Sequence, residues 1–257
     1  MRKLRLAAFA AVSVSAIAAV YLTVGARGAF VAALMLVCYF KRQTILPLAL
    51  VACWAFMSRA LGFLTAHTPH TLDATLWRLD LRLGYSPAVA MAAVGSSPSL
   101  LWITTHAYWE GLLGAVVVAA LAGPRPWEFI AKGLAASVAG YGIFWLVPAC
   151  GPGFFLSGQT NTPRNAMPSL HLVWALMIAR RARGNGLAGR VAADIFLVLT
   201  IVATLGLGEH YLVDLIAAVP FWAALEALWR YLPVRGFGNQ SVFAVRAGTP
   251  PPEQGSV

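Results

Sequence analysis

The chain has 257 residues, 60% apolar and only 11% charged, with a mean hydropathy of +0.73. Soluble domains carry about 25% charged residues, so an ordinary soluble globular protein is excluded and an integral membrane protein is indicated. The net charge of +10 reads as a topological signal plus contact with anionic headgroups. No basic patch interleaved with aromatics sits on a soluble domain, so nucleic acid is not expected as a partner.

In chain order, apolar runs and their breakers predict spans at Leu4–Val24, Gly28–Phe40, Ile45–Leu64, Leu100–Leu121, Trp127–Val147, Pro168–Ala182, Val191–Leu207 and His210–Tyr231. Gly28–Phe40 is short against the ~20 residues of a spanning helix, so the count is seven if it only dips into the membrane. Arg2, Lys3 and Arg5 give the first run a signal-like start, but its length favours an uncleaved helix. The expected fold class is an all-α integral membrane bundle of about six to eight transmembrane helices with an amphipathic interfacial helix. Its organisation is N-terminal transmembrane helices over 1–66, a catalytic membrane domain over 67–235 and a disordered cytoplasmic tail over 236–257.

The interfacial helix is predicted over Thr71–Gly84. Leu72, Leu76, Leu79 and Leu83 form one apolar face, while Asp73, Asp80, Arg78 and Arg82 lie mostly elsewhere. Gly84 is placed to end it. It can anchor the chain in the outer interface, or roof a site and admit a lipid from the side.

Arg180, Arg181, Arg183 and Arg190 crowd one short loop. With eight spans, Lys41, Arg42, Arg125, Lys132, Arg230 and Arg235 fall on the same side, which the positive-inside rule makes cytoplasmic. Cys38, Cys53 and Cys150 show no metal-type spacing, and no metal or cofactor is expected.

Two segments carry the chemistry. In Pro168-Ser169-Leu170-His171 the proline suits the first turn of a helix, and the amides of such a turn attract phosphate. Ser169 adds a hydroxyl there, and Arg164 just upstream can pair with phosphate oxygens. In His210-Tyr211-Leu212-Val213-Asp214 the four-residue spacing places His210 and Asp214 on one helix face. Asp214 can then fix the tautomer of His210 and leave its other nitrogen free to attack. A carboxylate inside a membrane helix is otherwise costly. Two imidazoles and a carboxylate at matching helix starts point to phosphoester chemistry at a bilayer surface. His106 and Tyr108, on the outer side of Leu100–Leu121, are further candidates for substrate contact. His67 and His70 read as surface residues.

The Pro-Ser-x-His and His-x-x-x-Asp pair resembles the second and third signature motifs of the type 2 phosphatidic acid phosphatase (PAP2) superfamily. The variant is most similar to the branch with inositol phosphorylceramide and sphingomyelin synthases, as is the upstream Leu72–Asp80 segment with Leu83-Gly84. The likeness spans roughly Thr71 to Tyr231. It implies that His210 is the nucleophile that forms a phosphohistidine, that Asp214 orients it, and that His171 protonates the leaving alkoxide and then activates the acceptor. The chain departs from typical members in two places. Pro148-Ala149-Cys150-Gly151-Pro152 stands where they carry Lys-x6-Arg-Pro, and Ala203-Thr204 where they carry Ser-Arg. Arg164 is the best replacement for the missing cations. The expected function is a lipid phosphatase or phosphotransferase of the cell or inner membrane, metal-independent, with its site facing the periplasm or exterior and a lipid phosphate as substrate. A histidine-dependent transporter and an inactive scaffold are the other readings.

Overall fold

A computed structural model describes residues 62, 64–66, 70–122, 126–159 and 162–231. The predicted spans Leu4–Val24 and Gly28–Phe40, nearly all of Ile45–Leu64, the tail over 236–257, Cys38, Cys53, His67 and Arg125 lie outside the described residues. Within them the secondary structure is entirely helical.

The helices in chain order are α1 (Asp73–Arg82), α2 (Pro87–Gly95), α3 (Pro98–His106), α4 (Leu112–Ala122), α5 (Pro126–Leu146), α6 (Pro152–Ser157), α7 (Leu170–Ala182), α8 (Leu187–Gly206) and α9 (Leu212–Tyr231). A π-helical turn, Ala107–Gly111, joins α3 to α4 without a break. Three helices, α5, α8 and α9, are long and apolar enough to cross a membrane. The bent pair Pro87–Gly95 and Pro98–Leu121, which meets at 108°, is a candidate fourth span. Helix α2 has no counterpart among the predicted elements.

Helix α7 is the centre of the bundle. Leu172, Val173, Trp174, Ala175, Met177, Ile178, Ala179 and Ala182 are all buried, the all-round burial of a helix with neighbours on every side. Its core partners include Val116 and Val117 of α4, Phe129 and Ile130 of α5, Ala193 of α8, and Leu215 and Ala218 of α9. A Cβ on Gly133 would lie 1.7 Å from the Trp174 ring, so only glycine lets the indole seat against α5. At 13 residues, α7 is ~20 Å long, short of a full span.

Helix polarity sorts the charges. The N-termini of α7 and α9 and the C-termini of α5 and α8 meet at one end of the bundle, which holds His171, His210 and Asp214. The other end holds Arg180 and Arg181 in the last turn of α7 and Arg230 in that of α9. There Arg181 donates to the carbonyls of Ala119 and Ala120, satisfying the open end of α4 as a cation does best.

Helix α1 lies within the predicted interfacial segment Thr71–Gly84. It runs Asp73–Arg82, and Gly84 follows in the left-handed region, as a terminating glycine should. Its buried residues, however, are Asp73, Leu76 and Asp80. Leu72, Leu79 and Leu83 of the predicted apolar face are exposed, and Leu76 is buried. In a chain solvated by lipid, the apolar face of such a helix has no reason to turn inward, and buried carboxylates are tolerated where backbone amides meet them.

Candidate active site

The His171 helix begins two residues later than its sequence suggests. Pro168 is not in the first turn: it follows a cis peptide bond from Met167, and α7 starts at Leu170 with Ser169 as its N-cap. The Ser169 hydroxyl accepts from the Leu172 amide at 3.3 Å, the ordinary work of a capping serine. Ser169 is fully buried and sets the helix start. His171, the second residue of the helix, is half-buried.

His210 does not lie on α9; it sits in the turn two residues before it. Its Nδ1 is 2.8 Å from the Ala166 carbonyl oxygen and 3.6 Å from Asp214 Oδ2. A carbonyl can only accept, so Nδ1 carries the proton and Nε2 keeps a free lone pair. The expectation that Asp214 fixes the tautomer is therefore corrected: the backbone of the Arg164–Pro168 loop does so. Asp214 Oδ2 accepts from the Tyr211 amide at 2.7 Å. Asp214 is fully buried, and its Oδ1 has no hydrogen-bond partner among the described residues.

The two imidazoles face one another, with ring centroids 5.7 Å apart and planes at 64°. Tyr108 lies against the other side of His171, centroids 4.0 Å apart and 19° from parallel. It is buried, and its hydroxyl donates to Glu209 at 3.4 Å. Tyr108 thus packs against and supports His171. The π-helical turn that contains it aims its ring; such turns widen the helix by one residue and recur at functional sites. His106 is directed elsewhere. Its Nδ1 meets the Trp102 carbonyl at 2.8 Å, and its ring stacks on Trp102 at 4.3 Å.

Arg164 is buried, with Nη1 donating to Thr162 at 3.0 Å and its backbone amide donating to Thr65 at 2.8 Å. It lies two residues before the carbonyl that holds His210. The Cys150 thiol is pushed up to about 11, first by burial and then by Asp73, with Arg164 pulling the other way. Arg164 therefore supplies positive charge to the loop beneath the histidines.

Sequence reasoning missed two positioning carboxylates. Asp80 accepts from the amides of Leu212 at 2.8 Å and Val213 at 3.0 Å, so a side chain of α1 caps the start of α9. Burial pushes the Asp80 carboxyl up, and the two amides oppose this. Asp73 accepts from the Cys150 and Gly151 amides, at 3.0 and 3.1 Å, and from the Tyr211 hydroxyl at 3.0 Å. Gly151 has φ +93°, and a Cβ there would lie 2.3 Å from the Glu209 carbonyl oxygen, so the Pro148–Pro152 loop packs directly on the turn that carries His210. The i, i+7 spacing of the aspartates was the available signal, since on a helix it places both on one face. Glu209 was also missed; burial holds its carboxyl above the usual range, against the pull of His210 and the Tyr108 hydroxyl. Among the described residues, no group of three or more His, Cys, Asp or Glu is placed to hold a metal ion.

A helical membrane bundle with two facing imidazoles and a buried carboxylate at one end defines a class of membrane enzyme. A family model described as the PAP2 superfamily matches residues 74–228, a stretch that holds His171, His210 and Asp214, and the chain belongs to that superfamily. Membership suggests a phosphatase- or phosphotransferase-type activity in an integral membrane protein. No curated protein and no solved structure matches the chain.

Proposed function

We propose that this protein transfers the phosphoryl-bearing group of a lipid phosphoester through a phosphohistidine on His210. The observation that carries this reading is the bond from His210 Nδ1 to the Ala166 carbonyl, which leaves Nε2 as a nucleophile opposite His171. In the first step Nε2 attacks phosphorus, the bond from phosphorus to the leaving oxygen breaks, and His171 in its protonated form gives that oxygen its proton. In the second step neutral His171 takes a proton from the acceptor hydroxyl. The acceptor oxygen attacks phosphorus, the P–N bond breaks and His210 is restored. Asp214 stabilises the charge that develops on His210 in each step. Arg164 offsets charge on the phosphoryl oxygens from the loop below, and Ser169 acts by holding the start of α7.

The similarity of Leu72–Asp80 and Pro168–His171 to the inositol phosphorylceramide and sphingomyelin synthases favours a lipid alcohol over water as acceptor. Two structural features fit transfer. Glu209 and Asp214 lie close to His210, and the cations of typical phosphatase motifs are missing where Pro148–Pro152 and Thr204 stand.

We place the site on the extracytoplasmic face of a bundle of six to eight spans, because the arginine-rich helix ends lie at the opposite end. A cysteine introduced at Ser157 is expected to react with an impermeant thiol reagent from outside, and one at Asn185 is not; the reverse pattern would invert the site. For the reaction itself, the test is a lipid panel on protein in vesicles. Phosphatidic acid, phosphatidylinositol and a polyprenyl pyrophosphate are supplied with and without a lipid alcohol, and released phosphate and lipid products are read together. New phosphodiester product that grows with added alcohol supports transfer. Phosphate release alone makes the protein a phosphatase, and no turnover of any donor contradicts the proposal.

A further inference from the structure

The end of the bundle opposite the histidines carries charges that the reaction does not use. An open cavity of about 360 Å³ lies there between α5, α7 and α9, lined by Glu128, Lys132, Arg180, Arg181 and Glu226. Phe129 and Met177 complete its lining. An apolar slot bordered by Trp222, Leu225 and Trp229 adjoins it, sharing Lys132, Met177 and Glu226. Nine residues of α7 separate His171 from Arg180, ~14 Å along the axis, so this is a different site from the histidine pair.

Three cations here meet two carboxylates. Lys132 is held by Glu226 at 3.3 Å and by Glu128 at 3.7 Å. The Arg181 guanidinium is fixed against the end of α4 and stands 5.1 Å from the centroid of the Phe129 ring. Arg180 is exposed at the cavity rim. Partly covered charge of this density is expensive in a membrane bundle and marks a place that meets ions or headgroups. The cavity lies at the arginine-rich end of the bundle, since its arginines come from the last turn of α7, Glu128 and Lys132 from the first turns of α5 and Glu226 from the latter part of α9. Tryptophans at such an end lie where acyl chains give way to headgroups.

We infer that this cavity binds the phosphate of an anionic phospholipid, with Arg180 and Arg181 on the phosphate oxygens and the acyl chain lying along the bundle surface beside Trp222 and Trp229. Basic pockets between helices at the cytoplasmic end of membrane bundles take anionic headgroups in this way. The lipid here is a resident ligand, and the inference does not depend on which reaction the histidines perform.

The full chain, purified in detergent, is titrated with phosphatidylglycerol, phosphatidylcholine or inorganic phosphate, and bound lipid is counted by native mass spectrometry. Phosphatidylglycerol is expected to bind most tightly, and inorganic phosphate alone not to compete. Arg180→Gln should weaken phosphatidylglycerol about fivefold, the scale of one basic residue at an anionic surface; Arg180→Lys should recover most of it. Arg190→Gln, outside the cavity, should change nothing. Unaltered phosphatidylglycerol binding in Arg180→Gln, equal binding of phosphatidylcholine, or competition by phosphate at the same concentration as the lipid would each overturn the site. Because Arg180 makes no contact with the histidine end, its variants should fold and keep turnover, which separates this test from that of the reaction.

Discussion

The Nδ1 of His210 lies 2.8 Å from the carbonyl oxygen of Ala166, closer than it comes to Asp214 at 3.6 Å. Two tasks that one carboxylate performs in a serine-protease triad are therefore divided here. The backbone chooses the tautomer, and Asp214 supplies charge.

This division predicts a moderate penalty for Asp214→Asn. The variant keeps an acceptor for the Tyr211 amide and leaves the Ala166 bond intact, so only charge stabilisation is lost. We expect kcat/KM to fall about 100-fold, the scale of one preorganised electrostatic partner. A carboxylate that also sets the tautomer is worth about 10⁴-fold. A loss of that larger size would return the tautomer to Asp214.

The stack of Tyr108 on His171 predicts a split between two substitutions. Tyr108→Phe keeps the ring and loses only the hydroxyl bond to Glu209, so turnover should stay within about threefold, as for one weak hydrogen bond. Tyr108→Ala frees the imidazole, and misplacement of a catalytic group can cost about 100-fold. The loss should fall on kcat and be larger for a lipid alkoxide than for an aryl phosphate, which leaves without a proton. Equal losses for both leaving groups would remove His171 from the acid role.

Asp80 joins a lipid-facing helix to the catalytic turn. Asp80→Ala uncaps the first amides of α9, and loss of a capping carboxylate costs about 0.5–2 kcal/mol. Thermal unfolding in detergent should therefore shift down, and turnover should fall as His210 and Asp214 lose their register. Asp80→Asn, which keeps one acceptor oxygen for two amides, should recover only part of both. Normal turnover in Asp80→Ala would show that the contact only holds the fold together.

Glu209 gives the pH dependence. Burial raises its carboxyl above 4.5 in the folded protein, so the folded state keeps that proton longer than the unfolded chain does. Its contribution to stability is full below 4.5 and is lost as pH rises through the raised folded value. Wild type should thus lose unfolding temperature over that interval, and Glu209→Gln should lose less. A steeper decline in Glu209→Gln would reverse the sign of the shift.

The motifs were legible because they are built from side chains that a membrane helix otherwise avoids: His171, His210 and Asp214 stand out against an apolar background. What joins them was less legible. The acceptor for His210 is a main-chain carbonyl, which leaves no mark in the sequence at Ala166. The face that Tyr108 presents depends on the π-helical turn Ala107–Gly111, which shifts the helical period without a proline or a glycine pair to announce it. In α1 the leucine periodicity located the helix and its apolar face, but the aspartate spacing was not read as a second, buried face. With lipid outside, the buried face is the one whose carboxylates find amides, at Cys150, Gly151, Leu212 and Val213. The pairing of Arg164 with Thr162 joins residues in an irregular loop, where no period guides the eye.

The most direct test of the central claim is to look for the covalent intermediate. The fastest donor from the lipid panel, labelled at phosphorus, is mixed with the protein and quenched at alkaline pH, where a phosphorus–nitrogen bond to histidine survives. The mechanism predicts label on the peptide that carries His210, rising and decaying at the rate of turnover, lost on brief acid treatment and absent from His210→Gln. Turnover that proceeds with no labelled peptide at any time, or a His210→Gln variant that keeps more than about a tenth of the rate when loss of a nucleophile should cost several orders of magnitude, would contradict it.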